Sequence, residues 1–161
     1  MSISRVKEFL DNYSIKYISI SHSVAYTAGG IAAITHIPGK EVAKTVIVKL
    51  DGVLAMAVVS ASQHVDLALL RVASKAKTVT LATEEEFQTR FPDCETGAMP
   101  PFGNLYGMAV FADEELARDK EIVFNAGSHR ELIRMAWSDL VRLAEPKVAR
   151  IATRRFAAEA A

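Results

Sequence analysis

Two long apolar stretches, residues 42–50 and 53–60, most constrain the fold of this chain because they meet at Asp51-Gly52. An Asp-Gly pair between apolar runs is typical of a two-residue type I′ turn, which needs positive φ at both positions. The runs are apolar at consecutive rather than alternate positions, which indicates strands buried on both faces of a sheet. The sequence therefore predicts an antiparallel hairpin in the middle of a sheet.

The rest of the chain alternates between helical and strand patterns. Apolar residues three and four apart predict a first helix, capped by Ser2, with Val6, Phe9 and Leu10 on one face. The sequence Thr-Glu-Glu-Glu at 83–86 is typical of a capping box and predicts a helix to about residue 90. The other predictions are helices over 27–35, 65–73 and 138–144, and strands over 15–20, 79–82, 105–111, 121–125 and 131–136.

No internal repeat or linker divides the sequence, and 161 residues fit one domain with its own core. We therefore predict a single mixed α/β (α+β) domain over residues 1–152, followed by a tail over 153–161. Its centre is expected to be a mixed, largely antiparallel β-sheet or a partly open barrel, flanked by helices.

Charge and cysteine content argue against several functional classes. Lysine plus arginine equals aspartate plus glutamate at 19 each, so the chain lacks the basic excess of non-specific nucleic-acid binders. The single cysteine, Cys94, excludes an internal disulfide, and its neighbours Asp93 and Glu95 disfavour a reactive thiolate. Neither a signal peptide nor an apolar run of about 20 residues is present, so we expect a cytoplasmic protein without a membrane span.

Residues 97–107 form the most informative segment for function, with three glycines and two prolines in eleven residues. Glycine permits positive φ, and proline fixes φ and removes an amide donor, so the backbone course there is irregular and rigid. Such a loop can hold amide groups in place to stabilise developing negative charge on a substrate. A plain turn before a strand explains the segment equally well.

Two further features accompany that loop: a lysine, Lys44, at the head of the first apolar strand, and the sequence Asn125-Ala126-Gly127-Ser128-His129. Together the three resemble the YbaK/ProX family, the stand-alone relatives of the editing domain inserted in bacterial prolyl-tRNA synthetases. The segment from Gly97 to Pro101 matches the family's Gly-x-x-x-Pro loop. Lys44 matches its strand lysine, and Gly127 to His129 matches its Gly-x-His segment. The resemblance covers roughly residues 3 to 150.

The resemblance implies a trans-editing aminoacyl-tRNA deacylase, which hydrolyses the ester of tRNA mischarged with a small amino acid such as alanine, serine or threonine. Its implied partners are mischarged tRNA and an aminoacyl-tRNA synthetase, with no membrane, metal or cofactor. We expect amides around residues 97–99 to form an oxyanion hole. The expected catalytic residues are Lys44, Gly97, Ala98, Met99 and Pro101, and the expected substrate-binding residues are Phe102, Gly103, Asn125, Gly127, Ser128 and His129. Of these, Met99, Phe102 and His129 are expected to set the size of the pocket.

Other interpretations of these residues stay open. Lys44 is also compatible with a lysine that reaches solvent from a strand end. A Ser-His-Asp triad is disfavoured, because no Gly-x-Ser-x-Gly elbow is present and adjacent Ser128 and His129 rarely face each other. The remaining histidines are too scattered for a zinc site. A non-catalytic tRNA-binding or synthetase-associated module, and a hydrolase of small free esters or thioesters, are the alternative functions. The oligomeric state is not predicted.

Overall fold

A computed structural model describes residues 4–21, 37 and 40–154 of the chain. Its helices are α1 (Arg5–Asn12), α2 (Leu67–Ser74), α3 (Glu84–Phe87) and α4 (Trp137–Ala144). Its strands are β1 (Tyr17–Ser21), β2 (Ala43–Leu50), β3 (Val53–Ser60), β4 (His64–Val65), β5 (Val79–Leu81), β6 (Ala109–Asp113), β7 (Glu121–Asn125), β8 (Glu131–Ala136), β9 (Lys147–Ala149) and β10 (Ala152–Thr153). Short 3₁₀ turns cover Gln88–Arg90, Gly103–Leu105 and Glu114–Arg118.

The largest sheet has five strands in the order β5-β2-β3-β6-β9. Strands β5, β2 and β3 pair antiparallel, whereas β6 and β9 join in parallel. A three-stranded antiparallel sheet, β1-β8-β7, and the small β10-β4 pair complete the architecture. The predicted mixed α+β fold is confirmed, and the described strands do not close into a barrel.

The predicted central hairpin is confirmed in detail. Strand β2 pairs with β3 from Ala43↔Ser60 to Leu50↔Val53. Both turn residues have positive φ, 51° at Asp51 and 83° at Gly52, as a type I′ turn requires. Residues 55–60 of β3 are all buried, because apolar clusters cover both faces of the sheet.

Three apolar clusters hold the domain together. The main core joins α1, α4 and the loop after Pro101, and includes Leu10, Met56, Phe102, Phe124 and Leu140. A second cluster packs α2 on the opposite face of the five-stranded sheet and includes Val48, Ala57, Val59, Leu70 and Phe111. A third and smaller cluster comprises Ile37, Val42, Val123 and Leu132.

Of the two caps predicted for helix starts, one is confirmed and one is wrong. Thr83 and Glu86 form the predicted capping box at the start of α3, but the α-helix ends at Phe87 and continues as a 3₁₀ turn. Helix α1 is capped by Ser4, whose hydroxyl accepts a hydrogen bond from the Lys7 amide, so the assignment of the cap to Ser2 is wrong. The helix predicted over 27–35 lies outside the described residues.

The strand predicted over 105–111 begins later than expected, at Ala109. The Gly103 carbonyl accepts hydrogen bonds from the amides of both Tyr106 and Met108, which keeps the chain turning before the strand begins. A Cβ at Gly103 would lie 2.2 Å from the Met108 carbonyl oxygen, so only glycine allows this close approach. Toward the chain end, Ala152 and Thr153 pair with β4, and none of the described helices is long and apolar enough to cross a membrane.

Candidate functional site

The two glycine-containing loops singled out in the sequence dock against each other. We call residues 95–101 the Gly97 loop and residues 126–130 the hairpin loop, since the latter joins β7 to β8. The Gly127 amide donates a hydrogen bond to the Ala98 carbonyl at 2.9 Å, and the Glu95 amide donates to the Gly127 carbonyl at 2.8 Å. These two backbone bonds fix the position of one loop on the other.

His129 is the side chain that packs between the two loops. It is buried, and its Nε2 donates to the Thr96 carbonyl oxygen at 2.8 Å. Because a carbonyl only accepts, Nε2 carries the proton in this arrangement. His129 Cε1 lies 3.4 Å from the position that a Cβ on Gly97 would take. His129 therefore supports the Gly97 loop directly.

The three amides at 97–99 differ in what they bind. The Gly97 amide donates to the thioether Sδ of Met99 at 3.2 Å, and the Ala98 amide donates to the Glu95 carbonyl at 3.0 Å. The Met99 amide has no hydrogen-bond partner among the residues that the structure describes. A thioether is a weak acceptor, so a substrate oxygen can replace it on Gly97. Met99 and Gly97 are thus the loop amides open to a ligand.

The prolines and Phe102 anchor the loop at its other end. Pro100 and Pro101 are buried. Phe102 is fully buried in the main core, with its ring centroid 5.7 Å from those of both Phe9 and Phe124. These residues, like Gly103 after them, therefore hold the loop in the core, and their predicted roles in catalysis and substrate binding stay predictions.

Lys44 and Asn125 each lie two residues after an isolated bridge that brings the start of β2 to β7. A parallel bridge joins Val42 to Val123, and the Val123 amide donates to the Glu41 carbonyl at 3.1 Å. Lys44 and Asn125 each follow their bridge residue by two positions, which puts each on the same face of its own strand as that bridge residue. Lys44 is half-buried there. Alternation along β2 places it on the opposite face from Ala43 and Ile47, which belong to the main core.

The Asn125 side chain is a buried polar group near these loops. Only 8% of the residue is exposed, and its amide oxygen has no hydrogen-bond partner in the part of the chain that the structure describes. Ser128, in contrast, uses its hydroxyl locally, since its Oγ accepts from the Arg130 amide at 3.1 Å. Asn125 therefore presents a buried acceptor, whereas Ser128 stabilises the hairpin loop.

An open cavity of about 390 Å³ reaches the Gly97 loop from the opposite face of β2. Its walls are mostly apolar and come from β2, β5, α3 and the loop itself: Thr45, Val46, Ile47, Leu81, Ala82, Glu84, Phe87, Thr96, Gly97 and Met99. The loop is thus accessible to solvent from this side. Lys44 and Asn125 lie on the other side.

Three residues that pack near the hairpin loop, Asp93, Cys94 and Tyr106, were not predicted from the sequence as part of the site. The Tyr106 hydroxyl donates to Asp93 Oδ2 at 2.8 Å and lies 3.3 Å from Cys94 Sγ. Cys94 Sγ in turn lies 3.5 Å from the position of a Cβ on Gly127. Burial raises the pKa of the Cys94 thiol to about 11, so it stays protonated at neutral pH and acts as a packing group. No local pattern identifies this trio, because its residues belong to two different turns.

Comparison with known proteins assigns the chain to a known group. A family model described as an aminoacyl-tRNA editing domain matches residues 22–143, most of the sequence. No protein of curated function matches the sequence significantly.

Among solved structures, the hypothetical protein APE2540 has a TM-score of 0.83 at 19% identity, over 92% of this chain and 99% of that one. A protein proposed to be a trans-editing enzyme for prolyl-tRNA synthetase has a TM-score of 0.80 at 22% identity, over 95% of this chain and 99% of that one. At such identities these likenesses show a common fold.

Proposed function

The chain belongs to the aminoacyl-tRNA editing domain family, and from this premise we propose that it hydrolyses the ester of tRNAs mischarged with a small amino acid. Alanine, serine and threonine are the proposed amino acids, and an aminoacyl-tRNA synthetase is the proposed second partner. The family match over residues 22–143 is the observation that carries the proposal. The docking of the Gly97 loop on the hairpin loop supports it, because it joins two of the motifs on which the resemblance rests.

The proposed reaction needs water, an oxyanion site and a leaving ribose. Water attacks the ester carbonyl carbon, the carbonyl oxygen gains negative charge, and the bond to the ribose oxygen then breaks. The leaving oxygen takes up a proton, and the free amino acid departs. Water reaches the Gly97 loop through the open cavity on the β5 side of β2.

We assign the oxyanion to the Met99 amide, with the Gly97 amide joining once the Met99 thioether is displaced. A preorganised donor of this kind typically contributes about 100- to 1,000-fold in rate. Lys44 is proposed to bind a phosphate or carbonyl oxygen at the acceptor end, because an ammonium is a compact positive charge.

His129 is proposed to position the loop rather than to act as a general base through Nε2, since that nitrogen already donates to Thr96. Ala98 and Gly127 are proposed to hold the two loops together through their shared hydrogen bond. Asn125 is proposed to contact the aminoacyl group.

Purified protein incubated with proline-acceptor tRNA carrying alanine, serine, threonine or proline tests this function. We expect release of the small amino acids and little release of proline, because overpacking a close-packed pocket strains its walls. Binding of mischarged tRNA without release would favour a non-catalytic module. Absence of both, with cleavage of a small free ester, would favour a general esterase. Preferential release of proline would overturn the proposed specificity.

A further inference from the structure

The cavity that reaches the Gly97 loop carries a single charged side chain. Its volume is about 390 Å³, and among the described residues that line it only Glu84 is ionisable. The Glu84 carboxylate has no hydrogen bond or ion pair with any residue that the structure describes. It is therefore available to a positively charged group of a ligand in this cavity.

Glu84 differs in its position from the two carboxylates that follow it. All three lie in the first turn of α3, where negative charge is favourable. Glu86 is engaged in the capping box and in an ion pair with Lys49. Glu85 does not line the cavity. Stabilisation of the helix start is thus common to all three, whereas access to the cavity together with a free carboxylate belongs to Glu84.

The other walls of the cavity indicate what kind of ligand it fits. Gly97 and Met99, whose amides are open to a ligand oxygen, line the same cavity as Glu84. Most of the remaining lining is apolar, as at Leu81 and Phe87. A matching ligand combines an oxygen acceptor with a nearby positive charge. An aminoacyl ester has both, since its carbonyl group is next to an α-amino group that is mostly protonated at neutral pH.

The size of the cavity allows both contacts at the same time. Taken as a sphere, a cavity of about 390 Å³ is about 9 Å across. The carbonyl oxygen and the α-nitrogen of an aminoacyl ester lie about 3 Å apart, and a hydrogen bond at each end adds about 3 Å. An ester bound at the Gly97 loop therefore brings its ammonium within reach of the Glu84 wall.

We propose that Glu84 binds the α-ammonium of the aminoacyl group while the Met99 amide binds its carbonyl oxygen. The protein then cleaves esters of free amino acids and rejects esters whose amino group is acylated, as in peptidyl-tRNA. This inference rests on the proposed deacylase function and adds a residue that recognises the amino group. The ammonium is charged in the ground state as well as in the transition state, so the contact acts mainly on KM.

The test compares tRNA carrying alanine with the same tRNA after treatment with nitrous acid, which replaces the amino group by a hydroxyl and gives the lactyl ester. The two esters are similar in size and differ in charge. Glu84→Gln retains the shape of the side chain and removes its charge. We expect it to lower the alanyl-to-lactyl ratio of kcat/KM about 10-fold, between the values typical of exposed and of buried charge pairs.

Glu85→Gln is the matched control, because Glu85 lies in the same helical turn but not in the cavity lining. It should retain the wild-type ratio. The wild-type protein should also leave N-acetylalanyl-tRNA largely intact. If serine is released faster than alanine, seryl-tRNA and its deaminated ester take the place of the alanine pair.

Four outcomes would overturn the inference. An unchanged ratio in Glu84→Gln would show that Glu84 contacts no ammonium. Equal losses on both esters would assign Glu84 to the structure of the helix. Equal falls in the ratio for Glu84→Gln and Glu85→Gln would indicate a general effect of negative charge. Cleavage of N-acetylalanyl-tRNA as fast as alanyl-tRNA would show that the amino group is not recognised. Failure of the deacylase proposal itself is distinct, since the wild-type protein would then cleave neither ester.

Discussion

The Asp51-Gly52 turn and the Gly97 loop use the same backbone conformation for different purposes. Gly52 has φ of +83° and Gly97 has φ of +89°. A Cβ on Gly52 would meet no atom within 4 Å, whereas a Cβ on Gly97 would meet His129 Cε1 at 3.4 Å. Positive φ therefore marks a turn in both places, but of the two only Gly97 has a side chain from another loop, that of His129, beside it.

The two regions also differ in what their polar groups bind. Asp51 Oδ1 accepts from the amides of Lys77 and Thr78, both at 2.9 Å, and the Asp51 amide donates to the Thr78 carbonyl at 2.9 Å. In the Gly97 loop, by contrast, the Gly97 amide donates to the Met99 thioether. The Met99 amide has no hydrogen-bond partner among the described residues. The polar groups of Asp51 are thus paired within the structural turn, whereas the candidate site keeps a backbone donor available to a ligand.

The largest effect is expected at Lys44 in the candidate site, where activity should fall while the protein stays folded. Lys44→Ala should lower the deacylation rate by one to three orders of magnitude, about 1.4–4 kcal/mol, because the charge that is proposed to bind the substrate is lost. Single-turnover deacylation measures it. Lys49→Ala is the control on the same strand, where the lysine pairs with Glu86 at the surface. A folded Lys44→Ala protein with an unchanged rate would remove Lys44 from the site.

Gly97→Ala is expected to have the next largest effect. The added methyl would lie 3.4 Å from His129 Cε1, an ordinary van der Waals contact, but it strains a backbone at φ of +89°, and we expect relief of that strain to displace the loop amides. We expect kcat to fall about 10- to 100-fold with little change in KM for tRNA, because the oxyanion forms only in the transition state. Steady-state kinetics on mischarged tRNA distinguish the two parameters. A rise in KM at constant kcat would make the loop a binding element only.

Gly52→Ala is the matched variant in the structural turn. It introduces the same dihedral strain without a steric neighbour, so we expect a loss of about 1 kcal/mol in the free energy of unfolding. For a domain of this size that corresponds to about 2–4 °C in Tm. Thermal unfolding followed by circular dichroism measures the shift, and deacylation below Tm should match the wild type. If Gly52→Ala lost activity while keeping the wild-type Tm, the structural turn would be coupled to the candidate site and the distinction between them would be wrong.

The smallest effect is expected from the pH dependence of the same turn. Hydrogen bonds from Thr78 hold the pKa of the Asp51 carboxyl below its ordinary value of 3.8. The unfolded chain then binds more protons, so this stabilisation is present above pH 3.8 and is lost as the pH falls below it. Between pH 5 and pH 3, Asp51→Asn should lose less Tm than the wild type does. Parallel curves for the two proteins would remove Asp51 as a source of the acid sensitivity.

The sequence predicted the local parts of this architecture and missed the contacts between distant segments. Asp51-Gly52 and the Thr83–Glu86 capping box were identified because their signals lie within a few residues. The start of β6 was placed too early, since the bonds to the Gly103 carbonyl and the packing of that glycine on Met108 leave no local pattern.

The candidate site shows the same division. Residue types and family resemblance identified the Gly97 loop, the hairpin loop and Lys44 as separate features. Their mutual arrangement depends on the Val42–Val123 bridge and on the Gly127–Ala98 bond, which join positions far apart in the chain. The unpaired Met99 amide and the buried Asn125 oxygen depend on that arrangement. A pattern within a few adjacent residues therefore could not predict them.

The bonds that dock the Gly97 loop on the hairpin loop also bear on the order in which the protein folds. The β2–β3 hairpin closes over a two-residue turn, so its contacts form early at little cost in chain entropy. The bonds from Glu95 and Gly127 close a much longer segment and require β7 to have reached its place beside β2. We expect the docked loops to assemble last. A nascent or partly unfolded chain would then carry the family's motifs without the assembled site that the proposed hydrolysis of mischarged tRNA needs.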